Sequence, residues 1–566
     1  MRFLHTIQQR RNILILVAVT LALWFPRGLA LDRFVTADEP KWLARSGNFY
    51  LALVKGDLAG TFTREHPGVM ATWIGMAGLF WRFPEYPNVA PGRLTDSSQI
   101  EPIIRLQDKQ PMEILEAGRV LMVLFIVATL VLSFWEAARL AGLSPALVGF
   151  SLIAFDPFHA GLTRLLHLDG LMSSLMLLSI LAYWNFLFPI EDNKRFRSLD
   201  LAISAVAAGL GWLTKSPALF LAPFLGFITL VDLMRILVRQ RNIHVRQIWQ
   251  KVSPLLLWTV IGGLVFVLLW PAMWVDPIKT LQRIFAEATT YATEGHTTEV
   301  FFNGLVTSAD PGLRFYPTTY LWRTTPVVLV GLMVAGMGFV LGINSVWKTR
   351  LRWAVGMLVL FSALFGVFMT LGSKKFDRYL LPIFAPLDLV AGIGWIMAAN
   401  WLRKRWAGTI PSLSAIGMLT LVVAFQASAI ANTYPYYLSY YNPMMGGSAR
   451  APGVMMIGWG EGLDEAARYL NSKPGAAALR VMSWYPDGPF SYIFNGHTVG
   501  LAPEWEQTKE RVFSSDYVVF YIHEWQRKLP FPEMLDYFAR QTPEHVVTID
   551  GIEYAQIYNM QMAPPP

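Results

Sequence analysis

Polar residues along most of this chain come in short clusters, separated by apolar stretches close to the ~20 residues that a helix needs to cross a bilayer. The pattern predicts eleven helices, at approximately 12–31, 119–140, 145–159, 169–189, 199–214, 217–234, 254–273, 324–345, 353–371, 379–399 and 411–431. The third and fifth are short. Arg2, Arg10 and Arg11 precede the first run, NILILVAVTLALW. A small-residue cleavage pattern does not follow it and more spans do, so it reads as an uncleaved helix. Two long segments interrupt the pattern, Leu31 to about Arg119 and Trp274 to about Arg323. Within them HPGVMATWIGMAGLFW (66–81) and FYPTTYLW (315–322) have the aromatic-rich character of interfacial helices. After Tyr434 the period changes. Helix-like pieces (GLDEAARYL, PEMLDYFARQ) alternate with strand-like ones (LRVMSWY, DYVVFYI, HVVTIDGIEYAQIY), which predicts a small α/β domain. The expected organisation is a polytopic α-helical membrane domain, 1–433, followed by an extracytoplasmic α/β domain, 434–566.

Composition supports the membrane class: 54% of the 566 residues are apolar and only 15% are charged, against about a quarter in soluble proteins. There is no cysteine, which excludes disulfides, thiol nucleophiles and zinc–thiolate sites. The net charge of +8 does not point to nucleic acid, because from Arg450 onward 14 acids face 9 Lys/Arg. The positive excess therefore belongs to the membrane part, where it sets topology. With the N-terminus cytoplasmic, KRFR (194–197), RILVRQRNIHVRQIWQK (235–251), KTRLR (348–352) and RKR (403–405) all fall inside, as the positive-inside bias requires. KKFDR (374–378) falls outside. Either a span is misplaced there or the cluster serves a substrate anion.

This topology gathers unusual ionisable residues at the outer boundary: Asp38 and Glu39; Glu65 and His66 in TREHPG; Arg164, His167 and Asp169 in LTRLLHLDGL; Lys215 in WLTKSP; His296; and Lys374, Lys375 and Arg378. Each has a plain structural alternative. Asp38 can cap the next helix, Glu65 can precede a helix begun by Pro67, Lys215 can snorkel, and His296 can be an ordinary loop histidine. Taken together they are harder to explain that way, since ionisable groups at membrane depth pair or mark a functional site.

The DE pair after the first helix, EHPG, R-x-x-H-x-D, LTKSP and KKFDRYLLP, in this order and spacing, resemble the GT-C glycosyltransferases. Within these the match is to the protein O-mannosyltransferase and aminoarabinose transferase group, over roughly residues 1–430. The resemblance implies an enzyme that takes a sugar from a polyprenyl-phosphate donor lipid. It passes that sugar to an acceptor protein, lipid or glycan by a single inverting displacement. Asp38 matches the family's base or acceptor-orienting acid, with Glu39 beside it and Asp169 as a further catalytic acid. A carboxylate within hydrogen-bond reach can take the proton of the attacking hydroxyl, and two adjacent acids tend to split their pKa values. Lys215, Lys375 and Arg378, together with Arg164, are expected to meet the leaving phosphate. His66 belongs to the same phosphate set, although it stands where the aminoarabinose enzymes carry lysine. The resemblance further implies that Glu65, Asp169 and His296 can hold a divalent metal, zinc or magnesium.

Three other stretches are discounted. WGEGLDEAARYL (459–470) begins like a nucleotide loop but lacks the full spacing, and reads as a helix start. YPYYLSYYNP (434–443) and WPAMWVDP (270–277) read as interfacial aromatic belts. The competing reading is a transporter or flippase of lipid-linked substrates. Such proteins place polar residues near the midplane and show repeated halves, neither of which is seen here.

Overall fold

A computed structural model describes residues 2–64, 67–189, 194–240, 244–296, 298–341, 349–405 and 410–561. Among the described residues nine helices are long and apolar enough to cross a membrane: Arg10–Gly28, Pro111–Ala141, Leu168–Leu187, Lys194–Thr214, Ser216–Gln240, Val245–Leu268, Leu351–Thr370, Asp377–Arg405 and Leu413–Asn432. A bent pair, Phe315–Arg323 and Pro326–Val340, broken by 111°, would make a tenth. The expected eleven is corrected at the third segment. It folds as Leu143–Ala154, 12 residues, about 18 Å of helix against ~30 Å of hydrocarbon. The bend in the pair falls where Thr325 caps a new helix that opens with Pro326, a residue suited to a first turn and not to an interior one.

Leu168–Leu187 is apolar on every face and is the most buried span, at 94%, as expected for a helix in the middle of a bundle. Lys194–Thr214 and Pro111–Ala141 lie against it. Close backbone approach stacks the outer helices on this core. A Cβ on Gly78 of helix Val69–Arg82 would lie 2.6 Å from the Gly118 nitrogen. One on Gly392 would lie 2.5 Å from the Gly149 nitrogen. Small residues at such crossings let helices pack without a hydrophobic driving force.

Seven short strands follow in chain order. β1 (Val300–Phe302) and β2 (Leu305–Thr307) form a hairpin in the second long segment between spans. β3 (Arg480–Ser483), β4 (His497–Val499), β5 (Tyr517–Tyr521), β6 (His545–Ile549) and β7 (Ile552–Asn559) form one sheet in the order β4-β3-β5-β7-β6. β3 runs parallel to β4 and β5, and β7 runs antiparallel to β5 and β6. One face, with Met482, Val518, Phe520 and Tyr558, packs against Val512, Met534 and Phe538. The other face, with Val481, Val519, Tyr521 and Ile557, joins the continuous core that also holds Val35 and Tyr436. The sheet therefore sits down on the helical part instead of hanging from it.

The tyrosine-rich stretch corrects the belt reading. Tyr436, Tyr437, Tyr440 and Tyr441 are all buried, and only Tyr434 is open. They form the seam between helices and tail. Trp270 likewise is buried and stacks on Phe62, while Trp274 of the same motif stays exposed.

Candidate functional site

The site is built on the loop that links the first span to helix Glu39–Val54. Arg119, on helix Pro111–Ala141, fixes this loop from beneath. Its Nη1 donates to the carbonyls of Leu31 (2.7 Å) and Arg33 (2.9 Å), and its Nη2 to that of Phe34 (2.9 Å). Nε and Nη2 also donate to the Glu39 carboxylate. Glu39 accepts three further bonds, from the Thr36 N–H and hydroxyl and from the Leu166 N–H. Burial alone would raise its carboxyl, but the charge and hydrogen bonds of Arg119 hold it below the usual value. Every Glu39 lone pair is engaged and the residue is 0% exposed. That corrects the expectation of a catalytic acid pair: Glu39 is a rivet for the loop and does not face the chamber.

Asp38 points the other way. It stands at the N-cap position yet makes no capping hydrogen bond, so the simple structural role is not the one it plays. Its side chain, 24% exposed, lies 3.1 Å from Lys41 Nζ, 3.3 Å from Arg378 Nη2 and 3.7 Å from His167 Nε2. Burial would raise its pKa. The contact with His167 and the charges of Arg378 and Lys41 outweigh that and hold it well below the ordinary carboxylate value.

The central helix begins beneath Asp38. His167 occupies its N-cap, where Nδ1 accepts from the Asp169 N–H. Nδ1 also lies 3.3 Å from Asp169 Oδ2, and Nε2 faces Asp38, so the ring stands between the two acids. Asp169 Oδ1 accepts from Lys215 Nζ at 2.6 Å, and Oδ2 lies 3.6 Å from Arg378 Nε. Neither Asp169 Oδ2 nor Arg378 Nε has a hydrogen-bond partner among the described residues. Lys215 does not snorkel outward; its ammonium lies 3.9 Å from the centre of the Tyr379 ring. The Arg378 guanidinium sits between Phe376 (4.3 Å) and Trp459 (4.4 Å). Trp459 also meets the His167 ring edge-to-face at 5.0 Å.

Asp38, Asp169, Lys215 and Arg378 are thus brought together, and sequence reasoning assigned no role to two of their companions. His167 lay inside a motif already singled out. Trp459 is the less visible case, and its signal was the spacing of Gly458, Gly460 and Gly462, all with positive φ. At Gly460 (φ 131°) a Cβ would lie 2.0 Å from the Val35 carbonyl oxygen. Only glycine lets that strand of the tail lie against the Asp38 loop, where the Ala37 N–H donates to the Trp459 carbonyl (3.1 Å).

Other expected residues are elsewhere or otherwise engaged. Arg164 donates to the carbonyls of Leu29, Ala30 and Pro435 and lies over Tyr437, so it ties the seam and is not free for a phosphate. Lys375 is buried and paired with Asp310. His296 Nε2 accepts the Lys375 N–H, and burial with the nearby Lys374 and Arg378 charges lowers its pKa to about 4. Glu65 and His66 lie outside the described residues. Asp169 Oδ1 is engaged by Lys215 and His296 Nε2 by the Lys375 N–H. Among the described residues no three His, Asp or Glu side chains converge as metal ligands would.

Lys215 has a second face. Together with Ser216, Lys374 and Tyr379 it supplies the polar part of the lining of a groove of about 350 Å³. The remaining lining is apolar: Pro217, Leu219, Phe285, Ala288, Phe368, Met369, Leu371 and Gly372. The fold and site together define a multi-span helical membrane protein whose acid–base cluster opens onto an apolar groove.

No family model and no curated protein sequence matches the chain. Solved structures align with it over most of its length. ArnT from Cupriavidus metallidurans bound to undecaprenyl phosphate aligns at 13% identity over 98% of this chain and 99% of that one, with a TM-score of 0.48. The apo form of the same protein gives 13% over 99% and 100%, with a TM-score of 0.49. The Archaeoglobus fulgidus oligosaccharyltransferase gives 10% over 90% and 70%, with a TM-score of 0.47. Likeness at this level transfers no residue roles, which rest on this chain's own geometry.

Proposed function

We propose that this protein is an integral-membrane glycosyltransferase that moves a sugar from a polyprenyl-phosphate carrier to an acceptor hydroxyl on the extracytoplasmic side. The observation that carries the reading is the double role of Lys215. Its ammonium pairs with Asp169 inside the charged cluster, and the residue also lines an apolar groove. An isoprenoid chain fits that groove, and its phosphate then falls beside Lys215 and Arg378. The sequence motifs shared with polyprenyl-phosphate-dependent enzymes, and the placement of the basic loops on the opposite side of the membrane, support the same reading.

The chemistry follows from the named groups. Asp38 accepts the proton of the acceptor hydroxyl as its oxygen attacks the anomeric carbon. The bond from that carbon to the phosphate oxygen breaks on the opposite face, so the configuration inverts. Lys215 and Arg378 stabilise the charge left on the phosphate, Arg378 as a planar fork and Lys215 as a point charge. Arg378 faces both Asp38 and Asp169. A phosphate that draws Arg378 away removes a cation from Asp38, which raises its proton affinity at the moment a base is needed. Residues 1–433 form the transfer unit, and 434–566 form a domain that closes the chamber with Trp459.

A titration of undecaprenyl phosphate against the purified protein and its Lys215→Ala and Arg378→Ala variants tests this directly. Both substitutions are expected to weaken binding about tenfold or more. Wild-type affinity in both variants would overturn the donor site.

A further inference from the structure

The tail contributes a buried cation that the transfer chemistry leaves unused. Arg527 closes helix Ile522–Arg527 and is only 7% exposed. Its Nη1 donates to the Glu299 carbonyl (3.0 Å), while the buried Nε has no hydrogen-bond partner among the described residues. No carboxylate among the described residues reaches it within ion-pair distance. The acid on its own helix, Glu524, is spent on the Tyr521 N–H, and burial pushes its pKa up to about 8. The Glu299 side chain is exposed. A buried guanidinium with no ion pair of its own, acted on by Glu524 and Glu299 only from longer range, is a costly arrangement, and an anion in contact would relieve it.

The surroundings show where that anion would come from. The Arg527 guanidinium lies 5.2 Å from the centre of the Trp484 ring, and Trp484 and Tyr485 are both half-buried. The Tyr485 hydroxyl donates to His523 Nδ1 (2.9 Å), and His523 Nε2 donates to the Gly458 carbonyl (2.7 Å). The next residue, Trp459, covers Arg378, which pairs with Asp38. One wall of aromatic rings therefore runs from Arg527 to the reacting acid.

We propose that Arg527 is an oxyanion subsite for the acceptor. The acceptor carries a phosphate or carboxylate that Arg527 holds, its adjoining portion lies against Trp484 and Tyr485, and its hydroxyl reaches Asp38. This rests on the transfer reading, and the experiment separates the two. Saturation-transfer NMR on the full-length protein would follow the methyl signals of methyl phosphate and of acetate, each titrated alone. A Lys215→Gln background removes the donor-phosphate contact. At least one probe is expected to bind in that background, and addition of Arg527→Gln is expected to weaken it about tenfold or more. Arg527→Lys, which keeps the charge but loses the fork, is expected to fall between. The probe that binds tells phosphate from carboxylate. Binding that disappears with Lys215→Gln alone, or that is unchanged by either Arg527 substitution, would overturn the subsite. A normal donor site with no Arg527 effect would leave the transfer reading standing.

Discussion

Replacing Arg119 with methionine should cost more stability than any other single change near the site. The side chain donates five hydrogen bonds, three to loop carbonyls and two to Glu39. Methionine fills much of the volume but leaves Glu39 as a buried carboxylate without a cation, and three carbonyls without donors. Breaking one partner of a buried pair in this way costs about 3–5 kcal/mol, a large share of the ~5–15 kcal/mol of a typical folded protein. The loop that carries Asp38 should loosen with it, so transfer should fall as well. Removing both charges, in Arg119→Met/Glu39→Gln, leaves no uncompensated ion and should be markedly milder than the sum of the single changes. Chemical unfolding of the detergent-solubilised protein, followed by tryptophan fluorescence, gives the three values. A loss below about 1 kcal/mol for Arg119→Met, or strict additivity in the pair, would refute the rivet.

Three further outcomes follow from the same geometry. Gly460→Ala forces a Cβ against the Val35 carbonyl at a positive φ, so thermal unfolding should show a loss of about 1–3 kcal/mol, and no loss would mean the contact is soft. Trp459→Ala removes the ring over Arg378 and His167, and kcat/KM should drop about tenfold, with Trp459→Phe retaining part of the activity. Glu524, held neutral up to about pH 8 in the folded state against a reference of 4.5, binds a proton that the unfolded chain releases. Stability should therefore decline with rising pH across that window, by up to about 1.4 kcal/mol per unit from this group, and Glu524→Gln should flatten the slope in unfolding curves taken at successive pH values.

The sequence carried the membrane class and most spans because apolar length is a local property. It overcounted at Leu143–Ala154, where a short apolar run is buried by packing and not by lipid. The site was legible in part. Asp38, Asp169, Lys215 and Arg378 stood out as charges at a membrane boundary, and the structure brings them together. Glu39 and Arg164 carry the same signal, yet their side chains turn into backbone carbonyls and a buried ion pair. Residue type at a boundary does not encode that direction. Trp459 and Arg527 were hidden for another reason. They come from the acidic tail, and their meaning lies in a contact across several hundred residues that no local period announces.

The most direct measurement is transfer by Asp38→Asn, in purified, folded protein given a polyprenyl-phosphate-linked sugar and its acceptor. The substitution keeps the shape of the side chain and removes the base. Donor-lipid binding should persist while transfer falls by about 10²–10⁴-fold, the usual worth of a positioned base. Transfer within a few-fold of wild type, with binding intact, would contradict the account.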